Sequence, residues 1–216
     1  IMGYAEVIEE ENRARGVQLN AVESLKTQIA SSAQLIQNLL TYSQQSTEST
    51  GTLDISKFVE GLVLVLNDES DPGVEFQLST LTPNLLCGIN PDGLETALRN
   101  IAENAVEAST QPCNIIVGLD VLDQTQPEAT RDAVVNVGSY ARITVSDMGS
   151  GIDSELQTRV FDPFFSTRAL GQGLGLSTAQ GFILQNRGAI LLESQKNVGT
   201  TVTMLIPLKP SSSSRS

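Results

Sequence analysis

The chain has 216 residues, a formal net charge of −12 and no histidine. Its length is enough for one sizeable hydrophobic core and a smaller helical element. The acidic balance argues against nucleic acid or an anionic membrane surface as the main partner. The absence of histidine excludes histidine-based catalysis, the usual zinc sites and a histidine phosphoacceptor from these residues.

Two cysteines, Cys87 and Cys113, have neither metal-binding spacing nor the pattern of a disulfide framework. We therefore expect two buried, reduced thiols, which suit a cytoplasmic compartment. No apolar run approaches the roughly 20 residues that span a bilayer, and no signal peptide is visible.

Residues 1–46 predict a helical hairpin with a short first helix over 1–12. From 17 to about 45, apolar residues recur at spacings of three and four, which is typical of a bundle or coiled-coil seam. The seam consists of Val22, Leu25, Ile29, Ile36 and Leu39, with Ser32 as a polar break. We favour a hairpin that dimerises, because the first helix is too short to cover the seam. The alternative is an amphipathic helix packed on its own domain.

An α+β domain is predicted over 53–209, between a polar linker at 47–52 and a disordered tail at 210–216. The predicted helices cover about 56–67, 91–109 and 174–188, with Gly188 as a C-cap candidate. Asn90 is a good N-cap with Pro91 at the first helical position. Strands are predicted near 74–78, 85–89, 113–122, 140–147, 189–194 and 200–206, with a hairpin tip at 123–132 and a loop at 152–172.

The predicted helix over 91–109 carries two mid-helix asparagines on one face. Asn100, Glu103, Asn104 and Glu107 follow the i, i+3, i+4, i+7 pattern. A solvated face is the plain interpretation, but asparagine is a mediocre helix former. A magnesium ion would supply a reason, because Mg²⁺ prefers oxygen ligands.

Two glycine-containing segments suggest a nucleotide. Asp147 ends a predicted strand, where its carboxylate can accept the exocyclic amine of adenine, and Gly149 and Gly151 would let the backbone approach a ring. An Asp-Gly turn that caps the strand is the alternative. Further along, Gly171, Gly173 and Gly175 precede a helix, whose free amides would favour phosphate. No strand leads directly into these glycines, and no Gly-Lys-Ser/Thr follows, so neither a Rossmann site nor a Walker loop is indicated.

Five segments in fixed order resemble the N, G1, F, G2 and G3 boxes of the sensor histidine kinases, members of the GHKL ATP-binding superfamily. They are Asn100–Asn104, Asp147–Gly151, Phe161–Phe165, Gly171–Leu176 and Gly199–Thr201. The resemblance covers residues 85–207 well and the helical start more weakly. It implies a two-layer α/β sandwich of the GHKL (Bergerat) type preceded by a helical hairpin, with ATP and Mg²⁺ as cofactors.

The resemblance also implies roles for individual residues. Asn104 would be the magnesium ligand, with Asn100 and Glu103 as the catalytic pair that supports the phosphates or the attacking group. Asp147 would read adenine, and Thr201, or its neighbour Thr200, would close the adenine site through water. Residues 161–170 would form an ATP lid. The implied nucleotide-binding set is Asn104, Asp147, Gly149, Gly151, Phe165, Arg168, Gly171, Gly173, Leu174, Gly175, Leu176 and Thr201.

Two positions depart from related patterns. The hydrolytic relatives, gyrase-type and chaperone ATPases, carry a water-activating glutamate where this chain has Asn100. An amide cannot act as a general base near neutral pH, which favours phosphoryl transfer to a protein over hydrolysis. Glu103, close by in sequence, weakens that argument. Glu107 stands where many kinases of this family carry a basic phosphate contact.

The start of the chain, residues 1–6, resembles the stretch that follows the phosphoacceptor histidine in such kinases. The acceptor is therefore expected upstream of residue 1, and the chain is expected to be a fragment. The resemblance implies a homodimer through the N-terminal helices and a response-regulator receiver domain as partner, with no role for nucleic acid. The location would be cytoplasmic, including the cytoplasmic part of a membrane-anchored sensor. The alternatives are a nucleotide-binding regulatory module or pseudokinase that controls a partner without phosphorylating it, and an anti-sigma-type serine kinase.

Overall fold

The computed structural model describes residues 51–131, 133–167 and 173–209. The predicted hairpin at 1–46 and the tail at 210–216 lie outside these ranges, as do Arg168 and Gly171 of the predicted site. None of the described helices is long and apolar enough to cross a bilayer.

The fold is built on a five-stranded mixed sheet whose spatial order is β2-β4-β7-β9-β8. Its strands are β2 Val74–Leu81, β4 Cys113–Gln124, β7 Gly138–Asp147, β8 Ala189–Gln195 and β9 Gly199–Pro207. Only the β2–β4 pair of this sheet is parallel. Two short pairs complete the described strands: β1 Leu53–Asp54 with β3 Leu86–Cys87, and β5 Glu128–Ala129 with β6 Val134–Val135.

One face of the sheet is covered by helices. These are α1 Ile55–Glu69, α2 Pro91–Ala108, the short α3 Ser154–Gln157 and α4 Gly175–Gln185. The alternate β7 residues Ala141, Ile143 and Val145 lie in one buried cluster with the apolar faces of the helices. The fold is thus the two-layer α+β sandwich that the sequence predicts.

The start of helix α2 is set by an N-cap residue and a proline in the first turn. The side chain of Asn90 accepts a hydrogen bond of 2.9 Å from the amide of Gly93, and Pro91 occupies the first turn. Gly93 itself is required by packing, because a Cβ there would lie 2.1 Å from the ring of Phe182 in α4. This contact brings α2 and α4 close together.

The end of α4 differs from the prediction. The helix ends at Gln185, with Asn186 as its C-cap, and Arg187 rather than Gly188 adopts the left-handed conformation, at φ 59°. Gly188 is required for another reason: a Cβ there would lie 2.2 Å from the carbonyl oxygen of Leu205. The prediction of Gly188 as C-cap was wrong because sequence alone could not separate a turn glycine from a close-approach glycine.

Two further expectations need correction. The predicted tip at 123–132 is partly strand: β4 continues to Gln124, and β5 with β6 forms a separate ribbon. Val135 of this ribbon packs with Tyr140 and Leu205, on the sheet face opposite the helices. Both cysteines are free, but only Cys87 is buried, and Cys113 is half-buried.

Candidate functional site

The amide face of α2 lies at the centre of the candidate site. Asn100 and Asn104 are half-buried, whereas Glu103 and Glu107 are exposed. The Nδ2 of Asn104 donates a hydrogen bond of 2.7 Å to the carbonyl of Asn100. This bond turns the amide oxygen of Asn104 away from the carbonyl of Asn100. An amide oxygen is a ligand that a hard cation such as Mg²⁺ prefers.

The first turn of α4 lies directly against this face. A Cβ at Gly175 would be 3.2 Å from the Nδ2 of Asn104 and 3.5 Å from the Cβ of Asn100. The N-cap residue, Leu174, is buried and supplies no side-chain hydrogen bond to the helix start. The N-cap side chain therefore leaves the first amides of α4 uncapped, which is the arrangement that favours an anion.

Asp147 closes strand β7 with a buried carboxylate, 9 % exposed. Its Oδ1 accepts a hydrogen bond of 2.8 Å from the amide of Gly149. Burial raises the pKa of this carboxyl, and backbone hydrogen bonds from Gly149 and Thr200 oppose the rise. A buried acceptor with a perturbed pKa beside a glycine turn is a reasonable mark of a binding position.

The loop after Asp147 is held against the last turn of α2. The amide of Ser150 donates a hydrogen bond of 3.0 Å to the carbonyl of Ala108, and a Cβ at Gly149 would lie 2.3 Å from that same oxygen. Gly151 has φ +60°, and a Cβ there would lie 2.0 Å from the carbonyl of Gln195. Since Ala108 is one turn beyond Asn104, the structure brings these two predicted segments together.

The two threonines of the last box lie on opposite faces of the sheet. Thr200 is paired with Asp147 across the β7–β9 ladder and is buried. Thr201 is paired with Ser146, and their hydroxyl oxygens are 2.8 Å apart. Thr201 therefore lies on the sheet face away from Asp147, and its neighbour Thr200, the alternative that the sequence left open, lies beside Asp147.

The phenylalanine segment, residues 161–165, forms a turn joined to the start of α4; we call it the F turn. Phe161 is buried, and the exposed Phe164 has φ 65°. The amide of Phe164 donates a hydrogen bond of 2.9 Å to the carbonyl of Gly173. Phe165 is partly buried against the core and lies under the guanidinium of Arg159, 4.6 Å from ring centre to Cζ.

The remaining predicted residues have mixed outcomes. Leu176 is partly buried against the main core, and Arg168 and Gly171 lie outside the described residues. A separate cleft of about 930 Å³ lies at one end of strands β2, β4 and β7, by Cys113 and Met148. It shares only Gly149 with the predicted set, so it adjoins the candidate site rather than containing it.

The chain matches the family of histidine kinase-, DNA gyrase B- and HSP90-like ATPases over residues 89–210, more than half of its length. It therefore belongs to this ATPase family, and the matched region includes α2, α4 and the loop after Asp147.

The chain is similar to proteins that are named as histidine kinases. The chain is 32 % identical over 97 % of its length to the signal transduction histidine-protein kinase AtoS of Escherichia coli, of which it spans 32 %. The solved structure of the Acinetobacter baumannii histidine kinase AdeS covers 97 % of the chain, with 95 % of its own length matched, a TM-score of 0.65 and 19 % identity. Full-length ShkA in complex with AMPPNP matches 97 % of the chain over 46 % of its own length, with a TM-score of 0.58 and 16 % identity. The two structures support the fold alone.

Proposed function

We propose that the chain is the ATP-binding catalytic core of a two-component sensor histidine kinase. It would transfer the γ-phosphate of ATP to a histidine upstream of these residues, for relay to a response-regulator aspartate. One observation carries the proposal: the asparagine face of α2 meets the uncapped start of α4, with Gly175 against Asn104. The names of similar proteins, including AtoS, support the same activity.

The nucleotide would lie along α2. Its adenine would bind at Asp147, whose buried carboxylate can accept the exocyclic amine, with Thr200 beside it in place of Thr201. Its phosphates would reach the first amides of α4, which begin at Gly175 and lie next to Asn104. The similarity to ShkA, whose structure holds AMPPNP, agrees with a nucleotide in this fold.

A magnesium ion fits Asn104 through the donor chemistry of its amide oxygen. Within the described ranges, no group of three or more Cys, Asp and Glu side chains could hold a metal. An ion at Asn104 would therefore complete its shell with water and phosphate oxygens, as Mg²⁺ usually does. When bound, it would offset phosphate charge in a chain whose formal net charge is −12.

Asn100 favours transfer over hydrolysis. Its side chain lies one turn before Asn104 and cannot remove a proton from water near neutral pH. Glu103 is exposed and sits beside Asn104 in sequence, so it is the nearest carboxylate along the helix that could support an attacking group. The proposed contribution of the protein is to orient the phosphates and exclude competing water, with the acceptor supplied by another segment.

The proposal extends to the parent protein. We infer a division into a dimerising hairpin at 1–46, a linker at 47–52 and the catalytic domain at 53–209, with a receiver domain as the phosphate's destination and a cytoplasmic location. The chain spans 32 % of AtoS, and 20 % and 39 % of two sporulation kinases of Bacillus subtilis.

Phosphoryl transfer is tested with labelled ATP. The 216 residues alone contain no histidine and should acquire no acid-labile phosphate. A longer version that includes the residues encoded before Ile1 should acquire it, and Asn104→Ala in that version should abolish it. Nucleotide binding without acid-labile phosphate on the longer version would favour the regulatory module instead.

A further inference from the structure

Asp162 of the F turn lies between two arginines. Its Oδ2 is 3.8 Å from the Nε of Arg159, three residues earlier. Its Oδ1 is 3.3 Å from the Nη2 of Arg131, 31 positions away in the β5–β6 ribbon. The second contact joins the F turn to a part of the fold that contains no predicted nucleotide-binding residue.

Arg131 lies in the turn of the β5–β6 ribbon, and the base of this ribbon is held on the sheet by hydrogen bonds and packing. The amide of Thr130 donates a hydrogen bond of 2.8 Å to the carbonyl of Ala133, which closes the turn around Arg131. The hydroxyl of Tyr140 donates to the carbonyl of Asn136 at 3.1 Å, and Val135 is buried. Because the base of the ribbon is packed on the sheet, Arg131 can help to hold Asp162 in position.

The F turn is also linked to the asparagine face of α2, through Gly173 and Gly175. The amide of Phe165 donates to the carbonyl of Asp162 at 3.1 Å, and that of Phe164 donates to the carbonyl of Gly173 at 2.9 Å. Gly173 has φ +63°, and a Cβ there would lie 2.5 Å from the carbonyl carbon of Phe164. The turn and Gly173 therefore fit in one arrangement, and Gly173 leads within two residues to Gly175, which lies on Asn104.

We infer that Arg131 is a positioning residue for the nucleotide site. Through Asp162 it holds the F turn, and the F turn holds the start of α4 against Asn104. The expected effect on nucleotide affinity rests on the proposed function, whereas the contact between Arg131 and Asp162 does not. Both side chains are nearly half exposed, at 44 % and 47 %, so the expected effect on nucleotide affinity is about two- to fivefold.

The chain provides a matched control. Arg142 pairs with Asp120 through two hydrogen bonds, with exposed fractions of 40 % and 38 %, on the sheet face opposite the helices. Arg142→Ala changes the net charge as Arg131→Ala does and removes a tighter ion pair. A difference between the two variants therefore reports on the F turn rather than on repulsion of the nucleotide.

The first measurement is calorimetry of Mg-ATP on the full chain, with thermal unfolding to confirm that each variant is folded. Arg131→Ala should raise the Kd about two- to fivefold, and Arg142→Ala should leave it unchanged. In the Asp162→Asn background, Arg131→Ala should cause a smaller loss of affinity than it causes in the wild type, because the contact between these two side chains is already gone. Equal Kd values for Arg131→Ala and wild type, equal losses in both arginine variants, or additive losses in the double variant would each overturn the inference.

The second measurement is hydrogen exchange without nucleotide, which separates this inference from the proposed function. Arg131→Ala should speed exchange of the Phe164 and Phe165 amides, and Arg142→Ala should not. If the wild type fails to bind Mg-ATP, the proposed function fails while this comparison still tests the contact. Unchanged exchange of both amides in Arg131→Ala would overturn the inference.

Discussion

Asp147 and Thr200 face each other across the β7–β9 ladder, and both are buried. Their strands alternate so that Val145 and Val202, on the same side as this pair, pack in the core beneath the helices. The neighbouring pair, Ser146 and Thr201, therefore lies on the opposite face. The side chain of Thr200 therefore lies on the same sheet face as Asp147, and that of Thr201 does not.

This relationship predicts unequal effects of two similar substitutions. Thr200→Val should weaken ATP binding several-fold, on the order of the 1 kcal/mol that one hydrogen bond contributes, because the hydroxyl beside Asp147 is lost. Thr201→Val is the control, since each hydroxyl also bonds a serine, at 2.9 Å to Ser194 for Thr200 and 2.8 Å to Ser146 for Thr201. Calorimetry that finds the larger loss in Thr201→Val would favour Thr201 over Thr200 as the adenine-site threonine.

The carboxylate of Asp147 should cost stability at neutral pH. Burial raises its pKa in the folded state, so the folded chain holds this proton more tightly than the unfolded chain does. The favourable contribution is complete below the ordinary pKa of about 4 and is lost as pH rises through the folded pKa. Asp147→Asn should therefore gain in Tm relative to wild type between about pH 4 and 7, while its ATP binding falls.

Scanning calorimetry across this pH range checks the gain. Asp120→Asn is the control, because it removes a half-buried carboxylate on the other sheet face, together with its ion pair to Arg142. A Tm difference between Asp147→Asn and wild type that stays constant with pH would contradict the assignment of a raised pKa.

Two glycines should respond to alanine with opposite signs. Gly149→Ala places a Cβ 2.3 Å from the carbonyl oxygen of Ala108 and should cost about 1–3 kcal/mol of unfolding free energy. Gly181→Ala, inside α4, meets nothing within 4 Å and should add about 0.5–1 kcal/mol. Urea denaturation measures both, and a neutral Gly149→Ala would show that the loop can leave α2 at little cost.

The two thiols should differ in reactivity. Burial raises the pKa of Cys87 to about 12, against the opposing charge of Lys209, and its side chain has no exposed surface. Cys113 is half-buried at the start of β4. Iodoacetamide at about pH 8 should label Cys113 and leave Cys87 unmodified until denaturant is added, because the thiolate is the reactive form. Native labelling that persists in Cys113→Ser would show that Cys87 is accessible.

Local chemistry explains which parts of the fold the sequence could predict. The start of α2 depends on Asn90 and Pro91, which act within one turn, and the buried faces of the strands follow a period of two. The choice between Thr200 and Thr201 depended on the register of β9 against β7, which no local pattern carries. The role of Gly188 likewise depends on how closely the backbone of Leu205 approaches.

Contacts between distant segments were beyond the sequence. Nothing near Arg131 indicates a partner 31 positions away, and nothing near Ser150 indicates the carbonyl of Ala108. The asparagine face and the glycine-rich helix start were separately visible in sequence. Their contact at Gly175 required the packing of α4 on α2, which the Phe182 ring over Gly93 helps to fix.

An adenine-reading site at Asp147 is best tested by the affinities of the chain for Mg-ATP and Mg-GTP, measured by calorimetry in parallel with Asp147→Asn. We expect the wild type to prefer ATP, because the buried carboxylate would accept the adenine amine but would meet an acceptor oxygen in guanine. Asp147→Asn should lose this preference. Equal affinities of the wild type for ATP and GTP would rule out adenine recognition by Asp147.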